Sequence, residues 1–141
     1  MNVYADTSFL VSLYLPDQHS HEAHQRMALR PLIWLTPLHR AEWTHAVAQH
    51  IFHRKISSQQ AGKVYRDFDR DCTGGLWVEV DLPEMAFETC AKLARQHVGR
   101  LGVRTLDSLH VASALELRAN AFWTFDGRQA KLAEAAGLKS V

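Results

Sequence analysis

Apolar and polar residues along this chain fall into blocks whose period switches repeatedly between strand and helix. The first block, Asn2-Val3-Tyr4-Ala5, stops at Asp6. Thr7 and Ser8 follow, then Phe9, Leu10, Val11, Leu13, Tyr14 and Leu15. A short apolar run, a polar turn rich in capping residues and a longer apolar face predict a strand feeding a helix. Pro16 ends that helix. Asp17 or Ser20 can cap a second helix to about residue 30, with Ala23, Met27 and Ala28 inward, and Pro31 closes it. Leu32-Ile33-Trp34-Leu35-Thr36 is apolar enough for a strand covered on both faces.

Pro37 opens a long helix over residues 38–55. Glu42 stands in its second turn among Leu38, Ala41, Val47, Ala48, Ile51 and Phe52. Ser57-Ser58 starts another helix to about residue 71, with Ala61, Val64, Tyr65 and Phe68 as its apolar face. Its Arg66, Asp67, Asp69, Arg70 and Asp71 read as solvated. Gly74-Gly75 is a turn and Leu76-Trp77-Val78 a third strand. Pro83 begins a helix to about residue 98, and Gly99 and Gly102 flank a loop.

That loop delivers a helix over residues 104–115 that is apolar on almost every side. Leu106, Leu109, Val111, Ala112, Leu115 and Leu117 surround it, the pattern of a helix inside a core. Thr105 is its expected N-cap, and Asp107 sits in the first turn, where a negative charge suits the helix dipole. Asp107, His110, Val111 and Ala114 recur at helical spacing, so the carboxylate shares a stripe with core residues. Asn120 reads as a C-cap, and Ala121-Phe122-Trp123-Thr124-Phe125 as a fourth strand ending at Asp126-Gly127. A last amphipathic helix uses Ala130, Leu132, Ala133 and Ala136 and stops at Gly137, and residues 138–141 would add an edge strand. Strands alternating with helices predict an α/β three-layer sandwich: a central parallel sheet of four to five strands with helices on both faces, in a single domain over residues 1–141.

Composition changes this picture little. The chain has 141 residues, 47% hydrophobic and 22% charged, with a formal net charge of +1. That balance excludes a strongly basic nucleic-acid coat but permits a local basic groove. No apolar run approaches the ~20 residues of a membrane span. No basic stretch of a secretory leader precedes Asp6, and Cys72 and Cys90 stand in no metal-type spacing, so a reducing, cytoplasmic setting is expected.

The acids change it more. Asp6 lies just past the carboxyl end of the first strand and Asp126 just past that of the fourth, where open parallel sheets bind ligands. Asp107 and Glu42 each enter early on a helix that starts near the same edge. Singly, each has an ordinary explanation as a cap, a turn residue or a surface acid. Together they are four carboxylates that can converge, and like charges share a pocket only when cations neutralise them. An all-oxygen donor set suits Mg²⁺ or Mn²⁺.

With these residues the chain resembles the PIN-domain ribonucleases. The matching motifs are Tyr4-Ala5-Asp6-Thr7-Ser8, Glu42 in the helix after the second strand, Arg104-Thr105-Leu106-Asp107-Ser108-Leu109-His110-Val111-Ala112, and Trp123-Thr124-Phe125-Asp126. The resemblance spans essentially the whole length, and the size resembles single-domain toxins of VapC type. It implies an endoribonuclease dependent on Mg²⁺ or Mn²⁺, leaving a 5′-phosphate and a 3′-hydroxyl. It further implies a toxin of a type II toxin–antitoxin pair, with RNA as substrate, an antitoxin as protein partner and a homodimer as assembly. Asp6, Glu42, Asp107 and Asp126 would be the catalytic and metal-holding acids. Thr7 and Thr124 would orient carboxylates or waters. Arg40, Arg100 and Arg104 are candidates for gripping RNA phosphates, or plain solvated arginines.

Other readings compete. Glu42-x-x-His45 and Asp107-x-x-His110 have the spacing of a carboxylate-bridged di-iron bundle, though a bundle has no use for acids at strand ends. His110 reads more simply as a core histidine, and His19, His21 and His24 as an exposed helix start. A phosphoaspartate enzyme would use the first-strand acid as nucleophile, but Ser8 stands where the haloacid-dehalogenase pattern wants a second Asp. A PIN scaffold that binds RNA or protein without cutting is the remaining alternative.

Overall fold

The computed structural model describes residues 1–141. In chain order its elements are β1 (Asn2–Ala5), α1 (Thr7–Tyr14), α2 (Ser20–Met27), β2 (Leu32–Leu35), α3 (Pro37–Phe52) and α4 (Ser58–Thr73). β3 (Val78–Glu79) and α5 (Ala86–Leu93) follow, the latter running on through a π-helical turn (Ala94–Val98) into a single turn, α6 (Gly99–Leu101). α7 (Thr105–Glu116), β4 (Ala121–Trp123) and α8 (Gly127–Ala135) complete the chain. The chain divides into two compact units, residues 1–6 with 81–141, and residues 7–80.

In the first unit β1 pairs with β4 in parallel, Val3 opposite Ala121, Tyr4 opposite Phe122 and Ala5 opposite Trp123. The expected edge segment is present as a parallel bridge between Phe122 and Ser140. It is held by Phe122 N donating to Lys139 O at 2.8 Å and Val141 N to Phe122 O at 3.1 Å. α7 is buried along every residue from Ser108 to Ala114, as apolar residues on almost every side of it predict, and the buried stretch includes the polar Ser108, His110 and Ser113. α5 and α8 both pack on it. The Tyr4 ring stacks on Phe122 with centroids 5.8 Å apart, and its hydroxyl is 2.8 Å from His110 Nδ1, making His110 a buried core histidine.

Several boundaries in this unit differ from the sequence pattern: α5 starts at Ala86 rather than Pro83, Gly99–Leu101 is a helical turn rather than loop, β4 ends at Trp123 rather than Phe125, and the expected caps of α7 differ. Arg104, with extended backbone, is the N-cap of α7, and Thr105 is already its first helical residue. Asn120 does not cap α7, which ends at Glu116 with Leu117 as its C-cap. Instead Asn120 donates its N–H to Asn2 O at 2.8 Å and accepts Asn2 N–H on Oδ1 at 2.9 Å, fastening the start of β1. Its side chain serves a strand's free backbone groups rather than a helix's.

In the second unit β2 pairs with β3 in parallel, Trp34 opposite Val78 and Leu35 opposite Glu79. β2 is not covered along its whole length: Ile33 and Leu35 are buried but Leu32 is exposed. β3 begins later than its apolar residues suggest, because Leu76 N donates to Asp71 O and so belongs to the turn that closes off the C-terminus of α4. Thr36 caps α3 and exchanges hydrogen bonds with His39, and Ser57 with Gln60 does the same for α4. Trp43 stacks on Phe68 at 4.0 Å, and Tyr14 sets its edge against both rings. Asp71, expected to be solvated, accepts the Tyr14 hydroxyl at 2.7 Å. No helix is long and apolar enough to cross a membrane.

Candidate active site

Three of the four acids belong to the first unit, and two neutral side chains connect them. Asp6 directly follows β1 and is buried, at 4% exposure. Its Oδ2 accepts the Thr124 hydroxyl at 2.7 Å. That bond answers the cost of burying a carboxylate, because hydrogen bonds to a charged acceptor are the strong ones. Thr124 Oγ1 in turn accepts Asp126 N–H at 3.0 Å, so one hydroxyl serves both strand-end acids. Asp126 is the N-cap of α8, and its Oδ1 accepts the N–H groups of Arg128 at 2.8 Å and Gln129 at 3.2 Å.

Asp107 stands in the first turn of α7, half-buried, with Oδ2 3.2 Å from Arg104 Nε. Gln129 fixes the turn behind it. This side chain is fully buried, donates Nε2–H to the backbone carbonyl of Asp107 at 3.2 Å, and lies 3.0 Å from Thr124 Oγ1 through Oε1. Asp107 and Asp126 line one open cavity of about 520 Å³, with Gly102, Arg104, Arg128 and Lys131 on its walls.

Glu42 lies in the second unit, half-buried on the second turn of α3. Thr7 donates its hydroxyl to Glu42 Oε1 at 2.8 Å. Both threonines singled out by sequence therefore hold a carboxylate. The arginines differ from one another. Arg40 pairs with Glu79 and lies over the Phe68 ring, 5.8 Å from its centroid. Arg100 is exposed on α6, and Arg104 is exposed beside Asp107.

No three acidic, histidine or cysteine side chains are gathered into a ligand cluster. Each acid instead has protein donors. Asp107 Oδ1 and Asp126 Oδ2 nonetheless carry no partner, and hard oxygen donors of this kind match Mg²⁺ or Mn²⁺. The histidines of the di-iron reading are occupied elsewhere, His45 beside Gln49 and His110 against Tyr4.

The sequence pattern missed Gln129, Arg128 and Lys131. Gln129 had a signal: with Leu132, Ala133 and Ala136 it completes an i, i+3, i+4, i+7 stripe, so it shares the inward face of α8. Arg128 and Lys131 had none that separates them from ordinary solvated charges.

The PIN domain family model matches residues 3–135. The chain belongs to the PIN domain family. Among solved structures this PIN domain is similar to VapC20 of Mycobacterium tuberculosis, a sarcin–ricin-loop-cleaving toxin. There the TM-score is 0.71 and the identity 17%, over 99% of this chain and 98% of that one. It is similar to VapBC2 from Rickettsia felis, bound to a DNA fragment from its promoter, with TM-score 0.69 and 15% identity over 100% of this chain and 98% of that one. FitAcB from Neisseria gonorrhoeae gives TM-score 0.72 and 14% identity over 98% of this chain and 95% of that one. No curated protein matches the chain. At these identities the likeness establishes the fold, a central parallel sheet flanked by helices, as the alternation of strands and helices predicts.

Proposed function

We propose that this PIN protein is a divalent-metal-dependent endoribonuclease and the toxin of a type II toxin–antitoxin pair. The observation that carries the reading is the cavity shared by Asp107 and Asp126, with Asp6 joined to Asp126 through Thr124. Glu42 is the fourth acid by its match to the family's motif, and its carboxylate accepts the Thr7 hydroxyl. These four carboxylates would hold Mg²⁺ or Mn²⁺, which when bound lowers the pKa of a water nucleophile and neutralises charge on the scissile phosphate.

The protein's own residues prepare for that. Thr124 and Thr7 aim Asp6 and Glu42, and Gln129 fixes the turn that carries Asp107. Arg104 can leave Asp107 for a substrate phosphate, because an exposed pair of this kind is held weakly. Arg100 is free to reach RNA, whereas Arg40 would first have to leave Glu79. RNA as substrate is supported by the activity named for VapC20, and an antitoxin partner by VapBC2. Met85 and Phe87, exposed at the start of α5, and Leu106, exposed on α7, suit a protein interface such as a homodimer or an antitoxin contact. A single domain acting in the cytoplasm fits this reading.

The test is cleavage of total RNA with Mg²⁺ or Mn²⁺, comparing wild type with Asp107→Asn and mapping the cut ends. Cleavage by wild type alone, abolished by chelator and leaving 5′-phosphates, is expected. Equal cleavage by Asp107→Asn sinks the proposal, and RNA binding without cleavage by wild type identifies a non-cutting scaffold.

A further inference from the structure

The cavity beside Asp107 and Asp126 holds more positive than negative side chains. Arg104, Arg128 and Lys131 line it against two carboxylates. Arg104 is engaged with Asp107. Arg128 and Lys131 have no acidic partner anywhere in the protein, although both are exposed and the chain carries 15 acids for 16 basic residues. At i and i+3 on α8 they stand on one face of that helix. Asp126 has turned one oxygen toward the backbone N–H groups of the same turn and does not neutralise either side chain.

Acids and unpaired cations on one cavity divide it into two chemical halves. A phosphate placed at the acids for cutting leaves the cations without an anion. A polynucleotide supplies one, because the neighbouring phosphate is one nucleotide away, within the reach of Arg and Lys side chains. We propose that Arg128 and Lys131 form a subsite for the RNA phosphate adjacent to the scissile one, which makes a second phosphate part of substrate recognition. This rests on the nuclease reading for its substrate, but binding tests it separately from cutting.

The experiment measures binding of a fluorescent RNA trinucleotide, with two phosphates, and a dinucleotide, with one, in EDTA by anisotropy over a range of salt. Wild type is compared with Arg128→Gln/Lys131→Gln, with thermal unfolding as the check on folding. Wild type should bind the trinucleotide more tightly than the dinucleotide. The double variant should lose that preference, bind the trinucleotide about five-fold more weakly, and show a log–log salt slope smaller by about 1. Equal preference and equal slope in both proteins overturn the subsite. Should wild type bind with the expected preference yet cut no RNA, the subsite stands and the nuclease reading falls.

Discussion

Thr124 Oγ1 lies 2.7 Å from Asp6 Oδ2, a hydrogen bond between residues 118 positions apart in the chain. It joins the end of β1 to the residue just after β4, and it gives the buried Asp6 carboxylate a hydrogen-bond donor. Thr124→Val keeps the shape and removes the donor. A buried hydrogen bond to a charged group contributes about 1.5–3 kcal/mol, so urea unfolding should show a loss of that size. Mn²⁺ affinity should fall by about 10-fold or more, because partners that orient a ligand carry that much. Thr124→Ser should recover most of both. Undiminished Mn²⁺ affinity in Thr124→Val would remove Thr124 from any role in aiming Asp6.

Gln129 makes a second, independent prediction. Its amide is buried between Thr124 and the Asp107 carbonyl, and no water-exposed route replaces those bonds. Gln129→Met has similar volume but strands the carbonyl. The expected cost is about 1–3 kcal/mol. Amide exchange should accelerate in the first turn of α7 more than in its middle, because the lost bond anchors that end. Uniform acceleration along α7 would mean that Gln129 merely fills space.

These two residues also mark where sequence stops being informative. Element type was legible almost everywhere, because each strand is a short apolar run and each helix has an apolar face or a capping residue. The positions of Asp6, Asp107 and Asp126 were legible for the same reason: each sits at a boundary that the pattern fixes. Boundaries set by single hydrogen bonds were not. Asn120 has the look of a helix cap, yet its bonds go to Asn2 across the chain. Leu76 looks like strand, yet its N–H closes the turn after a helix by donating to Asp71 O. Asp71 belongs to a charged run and nevertheless accepts from Tyr14. Long-range pairings of polar side chains leave no periodic trace, so Gln129 was visible only as a stripe position and Arg128 and Lys131 only as charges.

Thr7 and Glu42 give a prediction about the acid most weakly marked in the sequence. Glu42 is a single residue on a long helix, and the Thr7 hydroxyl at 2.8 Å sets its carboxylate. Thr7→Val should lower Mn²⁺-supported RNA cleavage by 10-fold or more, with Thr7→Ser close to wild type. Glu42→Gln should abolish the metal response in the same assay. Should Thr7→Val cleave as wild type does while Glu42→Gln is inactive, Glu42 is placed by other contacts.

A pH dependence of stability follows from Tyr14. Its hydroxyl donates to Asp71 Oδ2 at 2.7 Å and accepts from Trp77 Nε1 at 3.0 Å, beside the stacked Trp43 and Phe68. Burial, and then the bond to Asp71, push the phenol well above the ordinary tyrosine value of 10. The folded protein therefore keeps this proton while the unfolded chain releases it near pH 10. Above that pH the folded state binds more protons than the unfolded state, so stability falls as pH rises. The contribution is complete below pH 10 and is lost progressively above it. Urea midpoints should drop between pH 9 and pH 11 more steeply for wild type than for Tyr14→Phe, which has no proton to lose at this position. At pH 7 Tyr14→Phe should itself be less stable by about 1 kcal/mol, the net contribution of an ordinary hydrogen bond. Parallel midpoint curves for the two proteins would show that the Tyr14 hydroxyl ionises as readily in the folded chain as in the unfolded one.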